Sequence, residues 1–85
     1  MTKQENQAKL ARGLDAIEPL EGATADALKA YQLLLEVAFG AATNLITHGV
    51  VSSADSEILE ADKDILRARY HRVQQRRDAM KSDVA

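Results

Sequence analysis

Eighty-five residues make one domain at most, and a domain this short buries only about 60–65% of its unfolded surface. There is no cysteine, which excludes a disulfide staple or a thiolate metal site and leaves association as the common remaining route to further burial. A formal charge of −2 gives no global pull toward nucleic acid or membrane.

Fifteen alanines, one proline and a remainder rich in Leu, Glu, Lys, Arg and Gln describe a chain of strong helix formers. The expected fold is all-α: a short N-terminal helix plus a long antiparallel helical hairpin, in one domain covering residues 1–85. Residues 37–54 carry no formal charge, yet Gly40, Thr43, Asn44, Thr47, His48, Gly49, Ser52 and Ser53 make the stretch too polar to span a membrane. The first residues lack the basic stretch and apolar block of a secretory leader, and with the absence of cysteine this fits a cytoplasmic chain.

The first helix is expected over about 4–17, with Leu10, Leu14 and Ile17 forming one narrow stripe before Pro19 stops it. Residues 20–23 are the linker. Thr24 caps a second helix over about 24–48, with Asp26 in its first turn. Leu28, Tyr31, Leu35, Ala38, Ala42 and Leu45 follow heptad spacing, and a second seam lies beside it at Ala27, Ala30, Leu34, Val37 and Ala41. Lys29, Gln32, Glu36, Thr43 and Thr47 form only a thin polar strip. A helix apolar around most of its circumference is expected at the centre of the fold.

His48–Gly49 end this helix, and Ser52 or Ser53 caps the third, expected over about 54–81 with Asp55 and Glu57 in its first turn. The short connection predicts antiparallel packing of the second and third helices. Leu59, Leu66, Val73 and Met80 repeat every seven residues, flanked by Ile58, Ala61, Ile65, Ala68 and Tyr70. Beyond Tyr70 apolar positions thin out, which predicts an end that is weakly packed or that packs on something outside the chain.

The third helix is also electrically polar. Asp55, Glu57, Glu60, Asp62 and Asp64 occupy its first half, and Arg67, Arg69, Arg72, Arg76 and Arg77 its second. Both blocks complement the helix dipole and otherwise suit a solvated face. They forgo i,i+4 opposite-charge pairs, however, so two copies laid antiparallel would match acids to arginines across a two-fold axis. Glu18, Glu21 and Asp26 offer an intramolecular alternative. A third reading has Arg69, Arg72 and Arg76 as a phosphate-binding stripe with Arg67, Arg77, His71 and Lys81 nearby. The net acidity, scarce aromatics and acidic first half weigh against it.

Chemistry finds little support. The helix-turn-helix reading fails because the would-be recognition helix begins with carboxylates. His48 and His71 lack partners at ligand spacing, so no metal site is expected. No GxSxG turn, environment-split carboxylate pair or phosphate loop occurs, so no catalytic residue, cofactor or pocket is expected.

The layout over residues 25–80, an alanine-rich hairpin with a Gly49-Val50-Val51-Ser52-Ser53 connection after a short first helix, resembles the small helical-hairpin accessory proteins of tailed phages and prophages. The resemblance supplies no functional residue. The expected function is a non-catalytic protein-interaction module that self-associates or modulates a partner protein as adaptor, inhibitor or chaperone-like factor. Leu28, Tyr31, Leu34, Leu35, Val37, Ala38, Ala42, Leu45, Leu59, Leu66, Val73 and Met80 are its candidate apolar interface. Arg67, Arg69, Arg72, Arg76, Arg77, Glu57, Glu60 and Asp64 are its candidate charged one. The alternative is a binder of nucleic acid or a small nucleotide-like anion through the arginine-rich half.

Overall fold

The computed structural model describes residues 2–84, with side chains described as far as Lys81. Three helices account for almost all of it: α1 (Lys3–Ile17), α2 (Ala25–Thr47) and α3 (Ser53–Val84).

The helix ends are set by local chemistry. Thr2 and Glu5 form a reciprocal capping box, with Glu5 N donating to Thr2 Oγ1 at 3.1 Å and Thr2 N donating to Glu5 Oε2 at 3.4 Å. Glu18 turns extended ahead of Pro19 and ends α1. Residues 20–23 close a turn in which Ala23 N donates to the Leu20 carbonyl and Gly22 takes the left-handed φ of 87°. Thr24 caps α2 and Ser52 caps α3 through side-chain oxygens that accept from Ala27 N and Asp55 N. At the other end of α2, Gly49 enters the left-handed region at φ 64° and its N–H reaches the Ile46 carbonyl.

Helix α3, 32 residues and therefore about 48 Å long, runs the full length of a flat slab of 49 × 24 × 14 Å. Helix α2 packs antiparallel along it, and α1 packs parallel to it, so α3 and not α2 is the central element. The reason lies in how α3 is faced. Asp62, Arg69, Arg72 and Arg76 meet α1 and the linker, whereas Tyr70, Gln74 and Arg77 meet α2. The heptad line Leu66–Val73 runs between these strips and is roofed from both sides.

The core is Leu14, Leu28, Tyr31, Leu35, Leu66 and Val73, with Leu10, Phe39, Ile65, Tyr70 and Met80 packed against it. Beyond Tyr70, Val73 has no exposed surface and Met80 packs against the core, so these apolar positions of α3 are covered by the chain itself, while Asp78 and Ala79 stay exposed. Ile17, in contrast, lies 55% exposed, outside the stripe of Leu10 and Leu14.

Leu35 is 1% exposed in the middle of the hairpin, so Leu35→Ala is expected to cost about 2–5 kcal/mol in urea denaturation. Glu60→Ala, on an exposed turn, is expected to change stability by no more than about 0.5 kcal/mol. Equal, small effects of the two would contradict this packing.

Candidate functional site

Around the circumference of α2 the residues divide into three arcs. Leu28, Tyr31, Gln32, Leu35 and Ala42 are buried, with Phe39 half-buried among them. Lys29, Glu36, Asn44 and Thr47 lie on an exposed polar arc. The third arc, Ala30, Leu34, Val37, Ala38, Ala41 and Leu45, is apolar and exposed: Val37 by 72%, Leu34 by 48% and Leu45 by 41%, with Leu33 at its edge by 52%.

The first heptad seam thus splits. An α-helix turns about 20° away from a perfect seven-residue repeat in each heptad, which carries Ala38 and Leu45 off the α3 contact and brings Phe39 onto it. Of the candidate apolar interface residues, Leu28, Tyr31, Leu35, Ala42, Leu66 and Val73 lie in the chain's own core, where no partner reaches them while the fold is closed. Leu59 and Met80 are partly buried. Leu34, Val37, Ala38 and Leu45 remain on the surface, and the structure groups them with Ala30 and Ala41 in one stripe.

Gln32 is no part of the polar strip. It is 2% exposed, and its amide is satisfied on every side: Nε2 donates to Gln74 Oε1 at 3.0 Å and to the Tyr70 carbonyl at 3.4 Å, while Arg77 donates to Oε1. Such a network fixes how α2 sits along α3, because a slide would bury an unpaired amide. Its position between Leu28 and Leu35 on one face was the available signal.

The arginine block follows the intramolecular alternative. Arg69, whose side chain is only 10% exposed, pairs with Asp15 and with Glu18, and Arg72 pairs with Glu18. Arg76 donates to the carbonyls of Pro19 at 2.8 Å and Leu20 at 2.7 Å, satisfying acceptors just past the end of α1. The stripe Arg69, Arg72, Arg76 is thus a clamp on the end of α1 and the linker. Glu21 and Asp26 form no ion pair with it among the described residues. Glu57, Glu60 and Asp64 are exposed; Glu60 and Asp64 stand 4.0 Å from Lys63 and Arg67 in i,i+3 pairs.

Three acidic groups here titrate away from their ordinary values. The hydrogen bond from Arg69 holds the Asp15 carboxyl below the usual carboxylate range. Burial pushes the Tyr31 hydroxyl up, and that hydroxyl donates to the Leu14 carbonyl at 3.0 Å. Tyr70 is raised because its hydroxyl donates to Glu36, which would be lost on ionisation.

A shallow groove of about 350 Å³ lies between α2 and α3, lined chiefly by Leu35, Phe39, Gly40, Leu66 and Tyr70, where the sequence led to no pocket being expected. Lys63 and Arg67 stand over the Phe39 ring at 5.0 and 5.4 Å. Among the described residues no group of three or more His, Asp or Glu could hold a metal ion, and no helix is long and apolar enough to cross a membrane. His48 closes α2 and His71 lies exposed with its ring edge-on to Tyr70. Compared with known proteins, the chain matches no family model, and no curated protein or solved structure shows significant similarity to it.

Two outcomes test the clamp. Arg69→Ala removes ion pairs to the exposed Asp15 and the half-buried Glu18 together with a largely buried stem, and is expected to cost about 0.5–2 kcal/mol in denaturant unfolding. Because the Asp15 carboxyl is lowered on folding, its contribution is complete above its unfolded value and is lost as pH falls through the lower folded one. Asp15→Asn is therefore expected to flatten the acid limb of stability in melts between neutral pH and pH of about 2. An acid limb identical to the parent's would contradict it.

Proposed function

We propose that this chain is a small, non-catalytic protein-interaction module whose working surface is the outward apolar arc of α2, engaged in self-association or in modulating a partner protein. One observation carries the reading. Leu34, Val37 and Leu45, three large apolar side chains on one stripe with Ala30, Ala38 and Ala41, stand in water while the neighbouring arc of the same helix is packed. Scattered exposed leucines are ordinary; a continuous apolar stripe bordered by a polar one marks surfaces that meet another molecule. The alternative, anion or nucleic-acid binding through the arginine half of α3, is less well supported. Arg69, Arg72, Arg76 and Arg77 all bond within the chain, and Arg67 stands 4.0 Å from Asp64 and over the Phe39 ring, so the block's charges are already partnered by the chain itself.

Val37→Arg tests the reading, since an arginine at a 72%-exposed position leaves the core untouched. With helicity retained by circular dichroism, the variant is expected to lose whatever association the parent shows, whether self-association by light scattering or capture of a protein from the native host. A parent that stays monomeric at every concentration and captures the same proteins as the variant would contradict it.

A further inference from the structure

We infer that the occupant of this arc is a second copy of the chain, its α2 lying antiparallel to the first across a two-fold axis that passes between Val37 and Ala38. The inference rests on the interaction reading above and adds the partner and its geometry.

The argument comes from the order of large and small residues along the stripe. The exposed apolar residues run from Ala30 to Leu45, so the midpoint falls between Val37 and Ala38. A two-fold axis at that point sets residues whose numbers sum to 75 at the same height on the two helices. Leu34 then faces the partner's Ala41 and Leu45 faces the partner's Ala30, while Val37 and Ala38, about 100° apart on the helix and on either side of the axis, each lie beside their own copy. Both leucines meet an alanine, the two valines close over the axis, and because a two-fold contact is isologous each leucine–alanine pairing occurs twice. A parallel pair would instead set Leu34 on Leu34 and Leu45 on Leu45, with alanine on alanine leaving gaps between them.

Charge fits the same arrangement. Asp26 in the first turn of α2 and His48 at its C-cap are both exposed at the two ends of the stripe, His48 on its line and Asp26 at its polar edge. Antiparallel pairing brings Asp26 within one residue's rise, about 1.5 Å, of the level of the partner's His48, and it opposes the two helix dipoles. Parallel pairing would set carboxylate beside carboxylate. The arc is one helix wide and about 22 Å long from Ala30 to Leu45, narrower than the roughly 800 Å² per partner of a standard interface. The pair is accordingly reversible, with a dissociation constant of about micromolar or weaker.

The chain has no cysteine, so introduced thiols report geometry directly. Ala30→Cys and Leu45→Cys, both at exposed positions, are oxidised separately and mixed at concentrations where light scattering shows the dimer. The mixture is expected to give a disulfide-linked heterodimer and each variant alone to give little. In the antiparallel pair, identical positions lie about 22 Å apart, far beyond the 4.4–6.8 Å Cα separation of a disulfide. Val37→Arg is expected to weaken dimerisation about tenfold or more, as an unpaired charge at an interface centre does. Self-linking of each single variant without the mixed product would overturn the antiparallel geometry while leaving the interaction reading in place. A parent monomeric throughout would overturn self-pairing, and loss of host-protein capture in Val37→Arg would then show that the interaction reading survives with a different partner.

Discussion

Helix α2 carries apolar residues over more of its circumference than one neighbouring helix can cover. Packing against α3 buries the arc of Leu28, Tyr31, Leu35 and Ala42, and α1 does not wrap round to the far side because it lies along α3 instead. What remains, from Ala30 to Leu45, is a stripe that the flat three-helix slab leaves in contact with water. The hydrophobic effect gives that stripe a standing tendency to be covered, and no other element of the described chain does so.

The placement of α1 has its own physical origin. Its C-terminal end carries Asp15 and Glu18, and its chain exit exposes the carbonyls of Pro19 and Leu20; all four accept from the arginines of α3. Lying parallel to α3, α1 brings this acceptor-rich end to the arginine half, while Asn6 near its other end donates to Asp62 at 2.6 Å in the acidic half. The same arrangement roofs Val73 and Leu66. The charge polarity of α3 therefore helps to hold α1 in register, and the apolar line beneath it provides the burial.

Much of this was legible in the residues. Helix number, the Thr24 cap, the Gly49 stop and the antiparallel hairpin all follow from capping chemistry and spacing, because those signals are local. The heptad reading of α2 placed Leu28, Tyr31, Leu35 and Ala42 together, and its second seam marked the arc that stays exposed. Spacing alone did not say which seam faces α3, and an idealised seven-residue repeat kept Ala38 and Leu45 with the core when the 3.6-residue turn carries them away. By residue type Gln32 falls in the thin polar strip, whereas its spacing from Leu28 and Leu35 puts it on the buried face. The capping box of Thr2 and Glu5 is a local signal too, a threonine followed three residues later by a glutamate. The choice among partners for Arg69, Arg72 and Arg76 depended on the direction of α1, a long-range fact that no local pattern encodes.

The most direct measurement of whether the outward arc of α2 is covered by protein in solution is hydroxyl-radical footprinting as a function of concentration. Leu20, 83% exposed and off the stripe, serves as the internal reference. Labelling of Leu34, Val37 and Leu45 relative to Leu20 should fall as the protein is concentrated. Labelling that holds constant in proportion to their free-surface exposure at every concentration, and that no added partner reduces, would contradict the account.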